Sequence, residues 1–326
     1  MSSGSTIPYH LRQNKAVERA LFIEQLKFIS LWLKDNGLAQ LEQYRYVGFG
    51  GPFLEDFKAI HRELNITSMV SIEVDADTLK RQAFNRPISC IELVEEPMTS
   101  STYIATDHFE KETILWLDYV NFDYNAQLND VRNAIAKMSD FDILKVTLNA
   151  NIANIKGDPD NLQKSRLNAF VGKISSAFLP TEKLIPDNFT AQNFPSVLVK
   201  TVVNALNQGV LHKPNAKVNI LSSFIYADGQ KMLTLACMLT PSDFDTSALL
   251  EWEFSFKDEE ILNISLPSLS TRERIEIERM LPQSGLDEIK SHLGYNIARQ
   301  NIENDLLLSN FIKYYSRFPW FGKVVI

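Results

Sequence analysis

The chain has 326 residues, 45% of them hydrophobic, enough to bury a large core as one elaborated domain or two small ones. A formal net charge of −7 argues against a surface built for non-specific duplex binding, and no strong nucleic-acid signal appears elsewhere. No run of 18 apolar residues, no secretory leader and no CxxC or HxxxH pair is visible, so no membrane span and no structural zinc site is expected, and the expected setting is cytoplasmic.

Residues 1–43 read as an N-terminal helical segment. His10, Arg12 and Lys15 form a cationic cluster just ahead of a helix over 15–35, where Val17, Leu21, Phe28 and Leu31 follow the 3.6-residue period and Asn36-Gly37 ends it. Such a cluster could hold an anionic substrate or supply a base, a plain helix-proximal surface being the alternative. Tyr44–Val47 is a β-prone run that ends in Gly48-Phe49-Gly50-Gly51, with a helical stretch after it from Phe53 to Leu64. A second strand, Ser68–Ile72, stops on Glu73, 25 residues beyond Gly48. Glycines at this first turn let a backbone approach a ligand, and an acid ending the second strand is placed to bind a ribose hydroxyl. An ordinary strand–helix turn with Pro52 at the helix start is the bland reading of the same glycines.

A third strand is expected over Ile88–Leu93, and a fourth, Thr113–Leu117, ends on Asp118-Tyr119. Asp118 would face a ligand crevice at the carboxyl ends of the strands, or simply serve as the N-cap of the next segment; Tyr119 could donate a hydrogen bond to a substrate oxygen. Leu128–Met138 reads as a helix and Asp142–Leu148 as the next strand, so strands alternate with helices around a mostly parallel sheet. Residues of about 150–195 are irregular, and Ser196–Asn207 looks helical. Then Asp228-Gly229 joins two β runs, 218–226 and 231–239, as an antiparallel hairpin ending the sheet. Cys90 and Cys237 lie in β-like runs and read as buried small hydrophobes. Residues 241–326 are mainly helical, with a capping box at Ser270–Glu273 and with Leu306, Leu307, Phe311 and Tyr314 at helical spacing. The aromatic run at the end of the chain suits the core or, alternatively, a homodimer or protein partner docked on this C-terminal region.

The glycine turn, the acid after the second strand, the apolar fourth strand ending in Asp118 and the closing hairpin together resemble the class I S-adenosylmethionine-dependent methyltransferase fold, over roughly residues 44–240. The segments 7–15, 48–57 and 116–119 also resemble uncharacterised bacterial proteins called putative O-methyltransferases. The resemblance implies a Rossmann-like α/β sheet closed by an antiparallel hairpin, with helical additions at both ends, and S-adenosylmethionine as cofactor. It implies that Gly48, Gly50 and Gly51 lie under the methionine and ribose, Glu73 on the ribose hydroxyls, Val74 against the adenine, Glu92 near the adenine amine and Asp118 beside the sulfonium. His10, Arg12 and Lys15 remain for the substrate and Asp118 with Tyr119 for catalysis. The activity implied is O-directed methyl transfer to an acceptor that stays unknown. Tyr46 stands where the family usually has an acid, and Pro52 where it often has a further glycine. These departures support a second expectation, a catalytically inactive interaction module of this fold in a multiprotein bacterial system.

Overall fold

The computed structural model describes residues 12–320, and His10 lies outside them. Helix α1 (Gln13–Asp35) buries Val17, Leu21, Leu26, Ile29 and Leu33, but also Glu18 and Arg19. Leu31, placed by periodicity on the buried side, is exposed, because Trp32 and Leu33 carry the apolar face at that end. Strand β1 (Arg45–Gly48) leads into a 3-10 turn at Gly51–Phe53 and helix α2 (Glu55–Leu64). Then come β2 (Ser68–Ser71), α3 (Ala76–Asn85), β3 (Ile91–Leu93), α4 (Ser100–Thr106), β4 (Thr113–Asp118), α5 (Tyr124–Lys137) and β5 (Ile143–Asn149). Helix α6 (Leu162–Val171) lies in the irregular stretch, and α7 (Phe194–Val210) precedes the hairpin of β6 (Ala216–Asp228) and β7 (Gln230–Pro241). A short strand, β8 (Leu262–Ile264), and helices α8 (Thr271–Met280), α9 (Leu286–Leu293) and α10 (Asn301–Tyr314) complete the described chain.

The strands form one sheet in the order β3-β2-β1-β4-β5-β7-β6-β8. Strands β1 to β5 are mutually parallel, and β7 runs antiparallel to both β5 and β6. This is the mostly parallel sheet with an antiparallel hairpin that the sequence predicts. Gly229, at φ +107°, makes the hairpin turn where a side chain would be strained. The hairpin does not end the sheet, however: β8 pairs parallel with β6 on its outer side.

Two further expectations are corrected. Strand β3 is only three residues long, so Cys90 sits in the preceding turn, half-buried, with Sγ 3.9 Å from His61 Nδ1; Cys237 is buried in β7. Helix α10 buries Asn304, Leu308, Phe311 and Tyr314, leaving Leu306 exposed, so its inner face is rotated from the one expected. At the end of the described chain Phe318 is buried, and the Arg274 guanidinium lies 4.5 Å from its ring and 3.8 Å from the Trp320 ring.

Apolar side chains fill both faces of the sheet. One cluster joins β4, β5 and β7 to α5 and α7, and a second joins β1, β2 and β4 to α1 and α2. A third unites Val17 and Leu21 of α1 with Phe224, Trp252, Phe254, Ile277, Phe311 and Phe318. Helix α1 is thus gripped between the sheet and the C-terminal region.

Candidate functional site

A cavity of about 450 Å³ opens at the carboxyl ends of β1, β2 and β4, the crevice where open α/β sheets bind ligands. Its walls are the turn after β1, the end of β2, the start of α4, the loop after β4, and Arg12 and Lys15 at the start of α1. The volume falls within the range of about 300–1,000 Å³ common for small-molecule sites.

The three glycines differ in what they do. Gly48 closes β1 beneath the cavity, where a Cβ would come within 3.1 Å of the Tyr46 hydroxyl. At Gly50 a Cβ would collide with Leu54 Cδ2 (2.2 Å) and Ser71 Oγ (2.7 Å), so protein packing, rather than ligand approach, demands glycine there. Gly51 has φ +51° and nothing within 4 Å of the Cβ position, which leaves open space beside a cavity-lining backbone. Gln82, fully buried on α3, fastens this turn. Its Nε2 donates to the Gly51 carbonyl (2.9 Å), and its Oε1 accepts from Ser71 Oγ (3.2 Å). Nothing in the spacing of the sequence marks Gln82 for this task.

Glu73 lies in the cavity wall just past β2. Its Oε1 accepts the backbone N–H groups of Val74 (2.8 Å) and Asp75 (2.9 Å), and its Oε2 is 3.4 Å from Gln82 Nε2. Burial raises its pKa despite those two amides. Val74 lines the same wall and is 62% exposed, an apolar face open to a ligand. Glu92 is not brought to this site: it is an exposed residue inside β3, not one placed beyond the strand end, and does not line the cavity.

Asp118 ends β4 and lines the cavity, but it is heavily engaged. Arg19 donates to its Oδ2 at 2.8 Å, and Lys15 Nζ lies 3.6 Å from the same oxygen. Burial pushes the Asp118 pKa up, yet Lys15, Arg19 and Lys145 outweigh it and hold the carboxyl below its ordinary value. Tyr119 also borders the cavity; its hydroxyl donates to buried Asp130 (2.7 Å) and lies 3.2 Å from Oγ of Ser100, another cavity-lining side chain. Burial and Asp130 raise its pKa well above that of a free phenol, so the hydroxyl stays protonated and acts as a hydrogen-bond donor. Asp130 accepts from Ser100 and Ser101 as well, both at 2.6 Å, and so ties the loop after β4 to the start of α4.

The sequence does not announce the charge cluster behind Asp118. Arg19 also reaches Asp56 Oδ1 (3.5 Å) and Glu18 Oε2 (2.7 Å), and Glu18 Oε1 meets Lys145 Nζ at 2.7 Å. Lys145 lies over the rings of Trp116 (3.8 Å) and Phe22 (3.9 Å). Three cations (Lys15, Arg19, Lys145) thus face three carboxylates (Glu18, Asp56, Asp118), a balance that lets so many charges leave water together. The visible signal was Lys145, a charge within the apolar strand Ile143–Leu148. Burial raises the pKa of Asp56, which lines the cavity, more than Arg19 and Lys15 lower it.

Among known families, the model described as "Putative O-methyltransferase" matches residues 7–326. No curated protein matches the chain. Among solved structures, Trm1 from Pyrococcus horikoshii with S-adenosyl-L-methionine is similar at 11% identity and a TM-score of 0.43, covering 69% of this chain and 55% of that one. The N-methyltransferase NodS from Bradyrhizobium japonicum is similar at 11% identity and a TM-score of 0.35, covering 69% and 97%. Likenesses of this size carry no weight for the role of any residue.

Proposed function

We propose that this chain, which belongs to the family described as "Putative O-methyltransferase", transfers a methyl group from S-adenosylmethionine to an oxygen of its acceptor. The observation that carries the reading is a cavity at the strand ends with Gly51 and Glu73 in one wall and Asp118 in another. The donor set fits the cofactor. Glu73 has one oxygen committed to backbone amides and a second with only a 3.4 Å contact, suited to ribose hydroxyls. Val74 and Met98 offer apolar surface to the base. Carboxylates at 56, 73 and 118 face the cavity, where a sulfonium can lie against them, with Lys15 and Arg19 offsetting part of their charge.

When bound, the cofactor supplies an electrophilic methyl on a good leaving group, so the protein must align the acceptor and remove its proton. Lys15 and Arg19 hold Asp118 ionised, and Tyr119 is committed to Asp130. We assign the proton of an acceptor hydroxyl to Asp56, a cavity-lining carboxylate whose pKa burial has raised. Arg12 and Lys15 bring positive charge to the same cavity.

Calorimetric titration with S-adenosylhomocysteine tests the reading. Wild type is expected to bind it, and Glu73→Ala to weaken binding by about 1.5–3 kcal/mol, as for loss of a charged hydrogen-bond partner. No heat at millimolar ligand, or unchanged affinity in Glu73→Ala, would move the ligand elsewhere.

A further inference from the structure

Arg12 differs from the other charged side chains in the cavity wall. Asp118 is held by Arg19 and Lys15, Asp56 by Arg19, Glu73 by two backbone amides, and Glu55 also has a partner. The Arg12 side chain forms no ion pair or hydrogen bond with any described residue, and its Nε is shielded from solvent without an acceptor. It does not cap α1 through its side chain either. Guanidinium N–H groups only donate, and their planar fork matches a carboxylate. A buried donor left unmatched is costly, and in a cavity wall a bound ligand is one source of the missing acceptor.

Position narrows what that ligand group is. The sheet runs β2-β1-β4, with Glu73 following β2, Gly51 following β1 and Asp118 ending β4. A nucleoside whose ribose meets Glu73 has its amino-acid end toward β4, where Lys15 of α1 reaches Asp118. Arg12 and Lys15 stand there with Asp56 and Asp118. An α-amino acid is a zwitterion, and this wall offers both signs of charge at once. We propose that Arg12 clamps the α-carboxylate at the amino-acid end of the cofactor, an inference that rests on the cofactor reading given above. An anionic group on the acceptor would present the same oxygens to Arg12, and experiment separates the two sources.

The probes are S-adenosylhomocysteine and 5′-methylthioadenosine, which lacks the amino-acid end, titrated into wild type, Arg12→Gln and Arg12→Lys. Arg12→Gln is expected to lose about 10–100-fold in affinity for S-adenosylhomocysteine, as for a charged hydrogen bond. Its affinity for 5′-methylthioadenosine is expected to stay within about twofold of wild type, and Arg12→Lys to recover part of the loss. Thermal unfolding of each variant controls for the fold. Equal losses for both ligands overturn the clamp, since Arg12 then acts on the nucleoside or on the shape of the cavity. No loss for either ligand also overturns it and assigns Arg12 to the acceptor. If wild type binds 5′-methylthioadenosine as tightly as S-adenosylhomocysteine, the clamp alone falls. If wild type binds neither, the cofactor reading falls and takes the clamp with it.

Discussion

Glu18→Gln would remove one negative charge from a fully buried cluster and leave Arg19 and Lys145 with fewer partners. Arg19 keeps Asp118 at 2.8 Å and Asp56 at 3.5 Å. Its share of the cost is at most that of one charged hydrogen bond, about 1.5–3 kcal/mol, and the Gln carbonyl can retain part of it. Lys145 fares worse. It has no second carboxylate within 4 Å among the described residues, only the ring faces of Phe22 and Trp116. Burial already lowers its pKa to about 8, and without Glu18 it gives up its proton. At pH 7 that adds about 1.4 kcal/mol relative to wild type, since each pH unit below the pKa is worth about 1.36 kcal/mol. The total is about 2–4 kcal/mol at pH 7.

The pH dependence is the sharper signature. Because the folded pKa of Lys145 lies below its unfolded value, charge on Lys145 opposes folding below about pH 8, and that opposition fades as the pH rises from about 8 to 10.4. In Glu18→Gln the lysine is neutral throughout. The stability gap between wild type and variant is therefore expected to narrow by about 1.4 kcal/mol per pH unit from pH 6 to 8 and to stay level above. Urea unfolding at pH 6, 7, 8 and 9 measures it. A gap of constant size would refute the reasoning, as would a Lys145→Met background in which Glu18→Gln costs no less.

Other perturbations test other parts of the fold. Gly50→Ala is expected to cost about 1–3 kcal/mol through overpacking against Leu54 and Ser71, and Gly51→Ala about 1 kcal/mol through its left-handed backbone alone; urea unfolding that ranked them the other way would contradict the geometry. Burial raises the Asp142 pKa to about 7, against two backbone amides from Ser139 and Thr113. Its folded form thus holds a proton that the unfolded chain has lost, so wild-type stability is expected to fall between about pH 4 and 7 by up to about 1.4 kcal/mol per unit, and Asp142→Asn to abolish that slope in the same titration. Truncation after Gln300 removes Leu308, Phe311 and Tyr314, all fully buried, and is expected to yield insoluble protein; a soluble truncated chain that still binds S-adenosylhomocysteine would show that α10 is dispensable.

The parts of this molecule legible in its sequence are those fixed by neighbours along the chain. The turn after β1, the apolar run of β4 and the Asp228-Gly229 hairpin each rest on local backbone chemistry, and the structure has all three. Helix faces were legible only to within a rotation, as Leu31 and Leu306 show, because several apolar residues compete for the inner side. The charge cluster was illegible for a different reason. Arg19 and Asp118 are 99 residues apart, and no spacing rule links a helix at one end of the chain to a strand in its middle. Glu92 was misplaced because it pairs with Val70 within the sheet, three residues short of the level of Glu73. The bond from Tyr119 to Asp130 was illegible because Asp130 belongs to a helix whose polar positions look like solvated surface in sequence.

The grip on α1 has a bearing on how the protein comes into being. Arg317 donates twice to Glu24, across 293 residues, and Val17 and Leu21 share a core with Phe311 and Phe318. Closing so long a loop adds only logarithmically to the entropic cost, but contacts this distant in sequence slow folding. During synthesis β1 can pair with β2 and β4, on either side of it, long before residue 317 leaves the ribosome. The α1 wall can already rest on β1, β2 and β4, but Val17, Leu21 and Glu24 gain their C-terminal partners only afterwards. A nascent chain can therefore assemble the cavity wall early, but α1 receives its outer cover only once α10 and the residues after it have docked.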